Sequence, residues 1–162
     1  MKKFLFPFIL LINLFAFNWY GNIHWVKSYD KAKILAKKEH KLILTEIAGI
    51  KCPPSKYFSK YVYSDKKVSD FINKNFIPVF YFIQQNSIPK TIKKHFKGVT
   101  PTLIFSKPNG KIFYILTGAR NKPEFLRVLK ALIKQYHQKF KKASINSPKP
   151  VWLQIPKNKK NK

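Results

Sequence analysis

Apolar positions recur along the chain in two rhythms, one of helical spacing and one nearly continuous. Their succession predicts the order of elements. Behind Ser28, an N-cap residue, Tyr29, Ala32, Leu35 and Ala36 repeat at helical spacing and predict an amphipathic helix to about Glu39. Leu42 to Ala48 is a nearly continuous apolar run rich in branched residues, the pattern of a strand buried on both faces, and Gly49 marks its end. Pro53 and Pro54 suit the first turn of a helix, where missing amide donors cost little, and that helix is expected to continue through Phe58 and Tyr61 to about Tyr63. Ser64 or Asp65 caps a further helix with Val68, Phe71 and Ile72 on one side.

Phe76 to Ile83 reads as a second strand, with Pro78 tolerated near its start. Residues 88–96 are expected to form a short helix, and Gly98-Val99-Thr100-Pro101 breaks the chain before a third strand, Thr102 to Ser106. In Lys107-Pro108-Asn109-Gly110 the Asn-Gly pair supplies positive φ, so a hairpin turn leads to a fourth strand, Ile112 to Thr117. Asn121 caps the last helix, with Pro123 in its first turn, Glu124 completing a capping-box-like pair, and Phe125, Leu129, Leu132 and Tyr136 on one stripe to about Lys142. A β-α-β half followed by β-β-α predicts an α/β domain: a mixed sheet of about four strands with helices on both faces.

The flanks have a different character. Met1-Lys2-Lys3 followed by the apolar stretch Phe4 to Phe17 has the pattern of a secretory leader. Ala16 and Gly21 each offer a small residue for cleavage, and an uncleaved segment would be a short N-terminal anchor. The expected organisation is therefore a signal peptide or anchor over residues 1–21, a domain over 22–142, and a basic tail over 143–162 rich in Ser, Pro, Lys and Asn. Within that tail Val151-Trp152-Leu153-Gln154-Ile155 is apolar enough to dock on a surface groove. Export places the domain in the periplasm or anchors it facing there.

Charge alters this picture less than its size suggests. The 162 residues carry a formal net charge of +27 and are 45% apolar, enough for one compact core. Only Arg120 and Arg127 among the 33 basic residues are arginine, whereas phosphate and guanine recognition favour the guanidinium fork. The lysines are spread over the whole chain, so nucleic acid is disfavoured as a specific partner, while an anionic membrane surface remains a candidate. His24, His40, His95 and His137 lack metal-ligand spacing, and no metal or cofactor is expected.

Candidate chemistry centres on Lys51-Cys52-Pro53-Pro54-Ser55-Lys56, which holds the only cysteine, so no disulfide forms within the chain. The cysteine lies at a strand-to-helix junction. There the unpaired amides and the positive end of the helix dipole lower a thiol pKa, and Lys51 and Lys56 add to the effect. Together with Gly98-Val99-Thr100-Pro101-Thr102, Gly110, Gly118 and Glu46, this arrangement resembles the thioredoxin fold, a three-layer sandwich. It is nearest the exported proteins related to the C-terminal domain of the thiol:disulfide interchange protein.

The resemblance implies that Cys52 is the nucleophile, with Ser55 standing where the family has its second cysteine and Glu46 where many members hold a buried acid. It also implies a cis-proline at Pro101, with Thr100 facing the cysteine and pairing with an extended substrate beside Pro53 and Pro54. The expected activity is monothiol disulfide exchange or isomerisation on protein disulfides or thiols, completed by an external thiol, because a hydroxyl cannot resolve a mixed disulfide. The alternative is a lapsed member of the fold that uses the same groove for binding or a chaperone-like role, with Cys52 inert. Glu46 could equally point to solvent at a strand edge, Pro101 could be purely structural, and Ser55 could only cap or hydrogen-bond within the helix.

Overall fold

The structure is a computed structural model that describes residues 17–85 and 87–145. The expected tail beyond residue 145 and most of the expected leader lie outside these residues. Four strands, β1 (Leu42–Ala48), β2 (Phe76–Phe82), β3 (Thr102–Ser106) and β4 (Ile112–Thr117), form one sheet in the order β2-β1-β3-β4. β1 runs parallel to β2, from Leu42 opposite Phe76 to Ala48 opposite Phe82, and antiparallel to β3. A parallel pair needs a long crossover, which the helices between β1 and β2 supply. β3 and β4 are the expected hairpin, with Gly110 at φ +84° in the turn.

Every residue of β1 is buried, because the strand is central and covered on both faces. Leu42 and Leu44 point to one side, into a cluster with Phe58, Val62, Tyr63, Phe125 and Leu129. Ile43 and Ile47 point to the other, against Tyr29, Ala32, Ala36 and Ile92. Full burial of each such Leu, Ile or Phe side chain is worth about 1.5–3 kcal/mol, so these two apolar layers dominate the stability. The helices that build them are α1 (Tyr29–Glu39), α2 (Pro53–Tyr57), α3 (Lys66–Asn75), the single turn α4 (Lys90–Lys93) and α5 (Lys122–Ile145). The three-layer α/β arrangement is the one the sequence predicts.

Caps fix several helix starts. The Ser28 side chain accepts from the Lys31 N–H, Asp65 accepts from the Lys67 and Val68 N–H groups, and Asn121 Oδ1 accepts from the Glu124 N–H. Of the two residues expected to cap α3, Asp65 is the one that does so.

Three helix boundaries differ from the expectation. The helix after Cys52 is α-helical only to Tyr57 and continues as a π-helical segment, Phe58–Val62, closed by the Tyr63 N–H donating to the Phe58 carbonyl at 3.0 Å. At 3.6 residues per turn Phe58 and Tyr63 would stand about 140° apart, so the wider turn is what puts Phe58, Val62 and Tyr63 into one core. α4 covers four residues rather than the whole of 88–96. α5 runs on to Ile145, beyond the boundary expected at 142.

Residues 19–21, assigned to the leader, pack against the domain. Trp19 meets Phe82 and Tyr20 meets Phe80 edge-on, with ring centroids 5.0 and 5.3 Å apart. Gly21, at φ +53°, lies so close to Tyr63 that a Cβ would come within 2.6 Å of its backbone. None of the described helices is long and apolar enough to cross a membrane.

Candidate functional site

The site lies where β1 ends and α2 begins. Cys52 is the N-cap of α2 in extended backbone, and its partly buried thiol donates to the Thr100 carbonyl at 3.1 Å. The Thr100–Pro101 peptide bond is cis. Gly49 permits this closeness: a Cβ there would stand 2.8 Å from Thr100 Oγ1 and 3.0 Å from Cys52 Cβ. The chain reverses tightly here, with the Cys52 N–H donating to the Gly49 carbonyl at 3.0 Å.

Pro53 and Pro54 occupy the first turn of α2 and are exposed. Having no N–H, they remove donors that a helix start would otherwise offer, so Ser55 provides the first amide able to face the sulfur. Ser55 is fully buried, and its hydroxyl accepts from the Gly49 N–H at 3.3 Å. That bond reaches out of the helix, so Ser55 ties α2 to the end of β1 and does more than cap.

Burial pushes the Cys52 thiol up, but the Thr100 hydroxyl and the Ser55 N–H and hydroxyl favour the thiolate and together bring it below its ordinary value. The neutral thiol has its own partner in the Thr100 carbonyl. Thr100 therefore serves both forms of the sulfur, through its carbonyl and its hydroxyl.

Glu46 sits two residues before the end of β1 and is completely buried, which corrects the reading that turned it to solvent at a strand edge: β1 is a central strand. Its carboxylate accepts from the Tyr63 hydroxyl, and its Oε1 has no hydrogen-bond partner among the described residues. Burial raises its pKa to about 8 against the opposing effect of the Tyr63 bond. Tyr63, also fully buried, is held well above the usual phenol value by burial and by the neighbouring Glu46 carboxyl. Ser59 Oγ is a further buried polar atom without a partner among the described residues.

The structure thus brings Cys52, Ser55, Thr100 and Pro101 together, flanked by Pro53 and Pro54. Glu46 is tied instead to Tyr63 and makes no hydrogen bond with Cys52 or Ser55. Sequence reasoning missed Gly49 as a contact residue and Tyr63 as a partner of the acid. A signal for the second was present: Ser55, Ser59 and Tyr63 fall at steps of four, a polar stripe on an otherwise apolar helix face. No cluster of His, Cys, Asp or Glu able to hold a metal ion occurs among the described residues.

Comparison with known proteins places this geometry. A family model described as a thioredoxin-like domain matches residues 29–133. A presumed disulphide isomerase from Bacteroides thetaiotaomicron is 31% identical, with a TM-score of 0.58 over 68% of this chain and 93% of its own. A thioredoxin from Thermus thermophilus shares the fold at 22% identity, with a TM-score of 0.60 over 68% of this chain and 87% of its own. The DsbH oxidoreductase does so at 19% identity, with a TM-score of 0.53 over 70% of this chain and 86% of its own. No curated protein matches the chain by sequence. With the family model spanning the sheet, most of its helices and the Cys52 turn, the chain belongs to the thioredoxin-like domain family.

Proposed function

We propose that the protein is an exported monothiol thiol-disulfide oxidoreductase or isomerase in which Cys52 is the nucleophile and an external thiol completes the cycle. The observation that carries this reading is the Cys52 sulfur lodged 3.1 Å from the Thr100 carbonyl at the start of α2, with a buried Ser55 in place of a second cysteine. The Cys52 thiolate attacks one sulfur of a substrate disulfide. A new sulfur–sulfur bond forms, the old one breaks, and the second substrate sulfur leaves as a thiolate. Ser55 cannot displace the bound sulfur, so release falls to a second cysteine of the substrate, giving isomerisation, or to a low-molecular-weight thiol, giving reduction.

Thr100 supplies the second element. Its N–H makes no hydrogen bond with any described residue, which leaves it for a carbonyl of an extended substrate, and the exposed Ile50 and Val99 offer apolar contact on either side. The leader pattern of the first residues supports export. The packing of Trp19 and Tyr20 on β2 favours cleavage after Ala16 over cleavage after Gly21, which would strip both rings from the fold.

The test is capture of Cys52-linked proteins from cells under non-reducing conditions with thiols blocked at lysis. Discrete mixed disulfides that vanish in Cys52→Ala are expected. If no such species form under oxidising conditions and Cys52→Ala keeps the biological role, the alternative of a binding protein using the same groove takes over.

A further inference from the structure

The chain has six acidic residues, and among the described residues none makes a hydrogen bond or ion pair with Cys52, Lys51, Lys56 or Lys97. Glu46 is buried against Tyr63. Asp30, Glu39, Asp70 and Asp65 are paired with Lys33, Lys41, Lys66 and Lys122 at 2.8, 2.7, 2.8 and 3.4 Å. Glu124 lies in the first turn of α5. Three lysines on the Cys52 turn, on α2 and on the loop that carries Thr100 are in the opposite condition. Lys51 precedes Cys52, Lys56 lies one helical turn beyond it, and Lys97 stands three residues before Thr100 on the facing loop. All three are exposed, and none takes part in an ion pair among the described residues.

Resting on the monothiol reading of the same site, we infer that its preferred substrates are acidic segments: peptides or protein loops whose reactive cysteine is flanked by carboxylates. Lys51, Lys56 and Lys97 receive these carboxylates around Cys52. Two physical arguments support this choice of partner. Exposed lysines without ion pairs, next to Cys52 in the chain and on the loop that carries Thr100, set up a positive potential where substrate meets the partly exposed thiol, and such fields raise association rates by about 10–1,000-fold for an oppositely charged partner at low salt. A basic segment meets like charge from lysines that no ion pair neutralises, so discrimination comes from repulsion as well as attraction. The bound sulfur is unchanged in chemistry: the Cys52–substrate bond forms as the substrate's original sulfur–sulfur bond breaks and its leaving thiol departs.

The test uses matched peptides, each with one cysteine activated as a 2-pyridyl disulfide and flanked by Glu, Gln or Lys. Attack by Cys52 forms the mixed disulfide and releases pyridine-2-thione, which is read by absorbance. The quantity compared is the ratio of second-order rates for the Glu and Gln peptides, which cancels any change in thiolate fraction. The ratio is expected to be about tenfold or more at low ionic strength and to approach one at high salt, where screening shortens to about 3 Å at 1 M. In Lys51→Glu/Lys56→Glu it falls below one. In Lys130→Glu/Lys134→Glu, which alters exposed lysines on α5 by the same charge, it stays near the parent value.

Equal rates for all three peptides, with each still faster than a small free thiol, would overturn the charge preference alone. So would an α5 variant as damaging as the site variant, which would mean that net charge rather than the site is responsible. If no peptide reacts faster than a small free thiol, both this inference and the monothiol reading fail. Vesicles containing anionic lipid serve as the competing surface: Lys51- and Lys56-dependent binding to them, without peptide discrimination, would assign these lysines to a membrane and overturn the inference.

Discussion

Cys52 and Glu46 stand six residues apart around the end of one strand, and the fold drives their acidities in opposite directions. Both are penalised by burial when charged. At Cys52 the Thr100 hydroxyl and the Ser55 N–H and hydroxyl favour the thiolate and together outweigh that penalty; at Glu46 one phenol reaches the carboxylate, Oε1 is left without a partner among the described residues, and burial wins. The difference lies in the number of donors, not in depth alone. A helix start and a facing loop can supply several donors to an atom at the surface, whereas an atom under a central strand has only what its apolar neighbours carry. The result is a thiol biased toward its reactive anion above a carboxyl biased toward its neutral acid.

The largest expected effect breaks the comparison at its reactive end. Cys52→Ala abolishes all disulfide exchange while leaving the fold intact, because the thiol is partly exposed and packs in neither apolar layer; exchange assays and thermal unfolding check this together. Ser55→Cys is the constructive counterpart. It places a second thiol at a buried position already in contact with the end of β1, and mixed disulfides should then be released internally, which non-reducing capture would show as their disappearance.

The next effect tests the buried end. Glu46 binds its proton more tightly in the folded protein than in the unfolded chain, so folding takes up a proton between the reference value of 4.5 and about 8. Stability therefore falls as pH rises through this window, with a slope approaching about 1.4 kcal/mol per pH unit, and levels off above it. Denaturant unfolding at several pH values should show that slope, and Glu46→Gln should remove it while keeping an acceptor for Tyr63. A Gln variant with an unchanged slope would assign the pH dependence to other groups.

How far these features can be read from sequence depends on whether they are local. The order of elements, the Asn109-Gly110 hairpin and the caps at Ser28 and Asn121 follow from spacing and turn chemistry within a few residues. So does the placing of Cys52 at a strand-to-helix junction. The burial of Glu46 follows only once β1 is known to be central, a fact set by pairing with β2 and β3 far along the chain. The Tyr63 contact depends on a π turn, which no propensity marks, and the Gly49 contact depends on a loop fifty residues away. The packing of Trp19 and Tyr20 was hidden because an apolar aromatic stretch next to a leader has the composition of the leader itself.

Gly49→Ala probes the junction between the two ends with a smaller expected cost. The added Cβ meets Thr100 Oγ1 at 2.8 Å and Cys52 Cβ at 3.0 Å, so the facing loop must yield. Overpacking of this kind costs about 1–3 kcal/mol. The loss should appear both as a lower unfolding midpoint and as an upward movement of the Cys52 alkylation profile, since the loop carries one of the donors to the thiolate. Loss of stability without any movement of that profile would mean that the strain is relieved away from the sulfur.

The smallest expected effect separates the donors themselves. Thr100→Val keeps the shape of the side chain and the backbone carbonyl that accepts from the thiol, but removes the hydroxyl that favours the thiolate, so only the anion loses a partner. Ser55→Ala removes another hydroxyl, leaves the Ser55 amide in place, and strips the Gly49 N–H of its acceptor. Each variant should raise the midpoint of Cys52 alkylation by a neutral reagent, measured against pH, and the wild-type midpoint should lie below the free-thiol value of about 8.5. The two shifts should add if the hydroxyls act on the sulfur separately and fall short of additivity if Ser55 also positions the Thr100 loop through Gly49. A midpoint that stays put in both variants would leave the Ser55 amide as the donor that sets the acidity, and the contrast between Cys52 and Glu46 would then rest on a single backbone N–H at the start of α2.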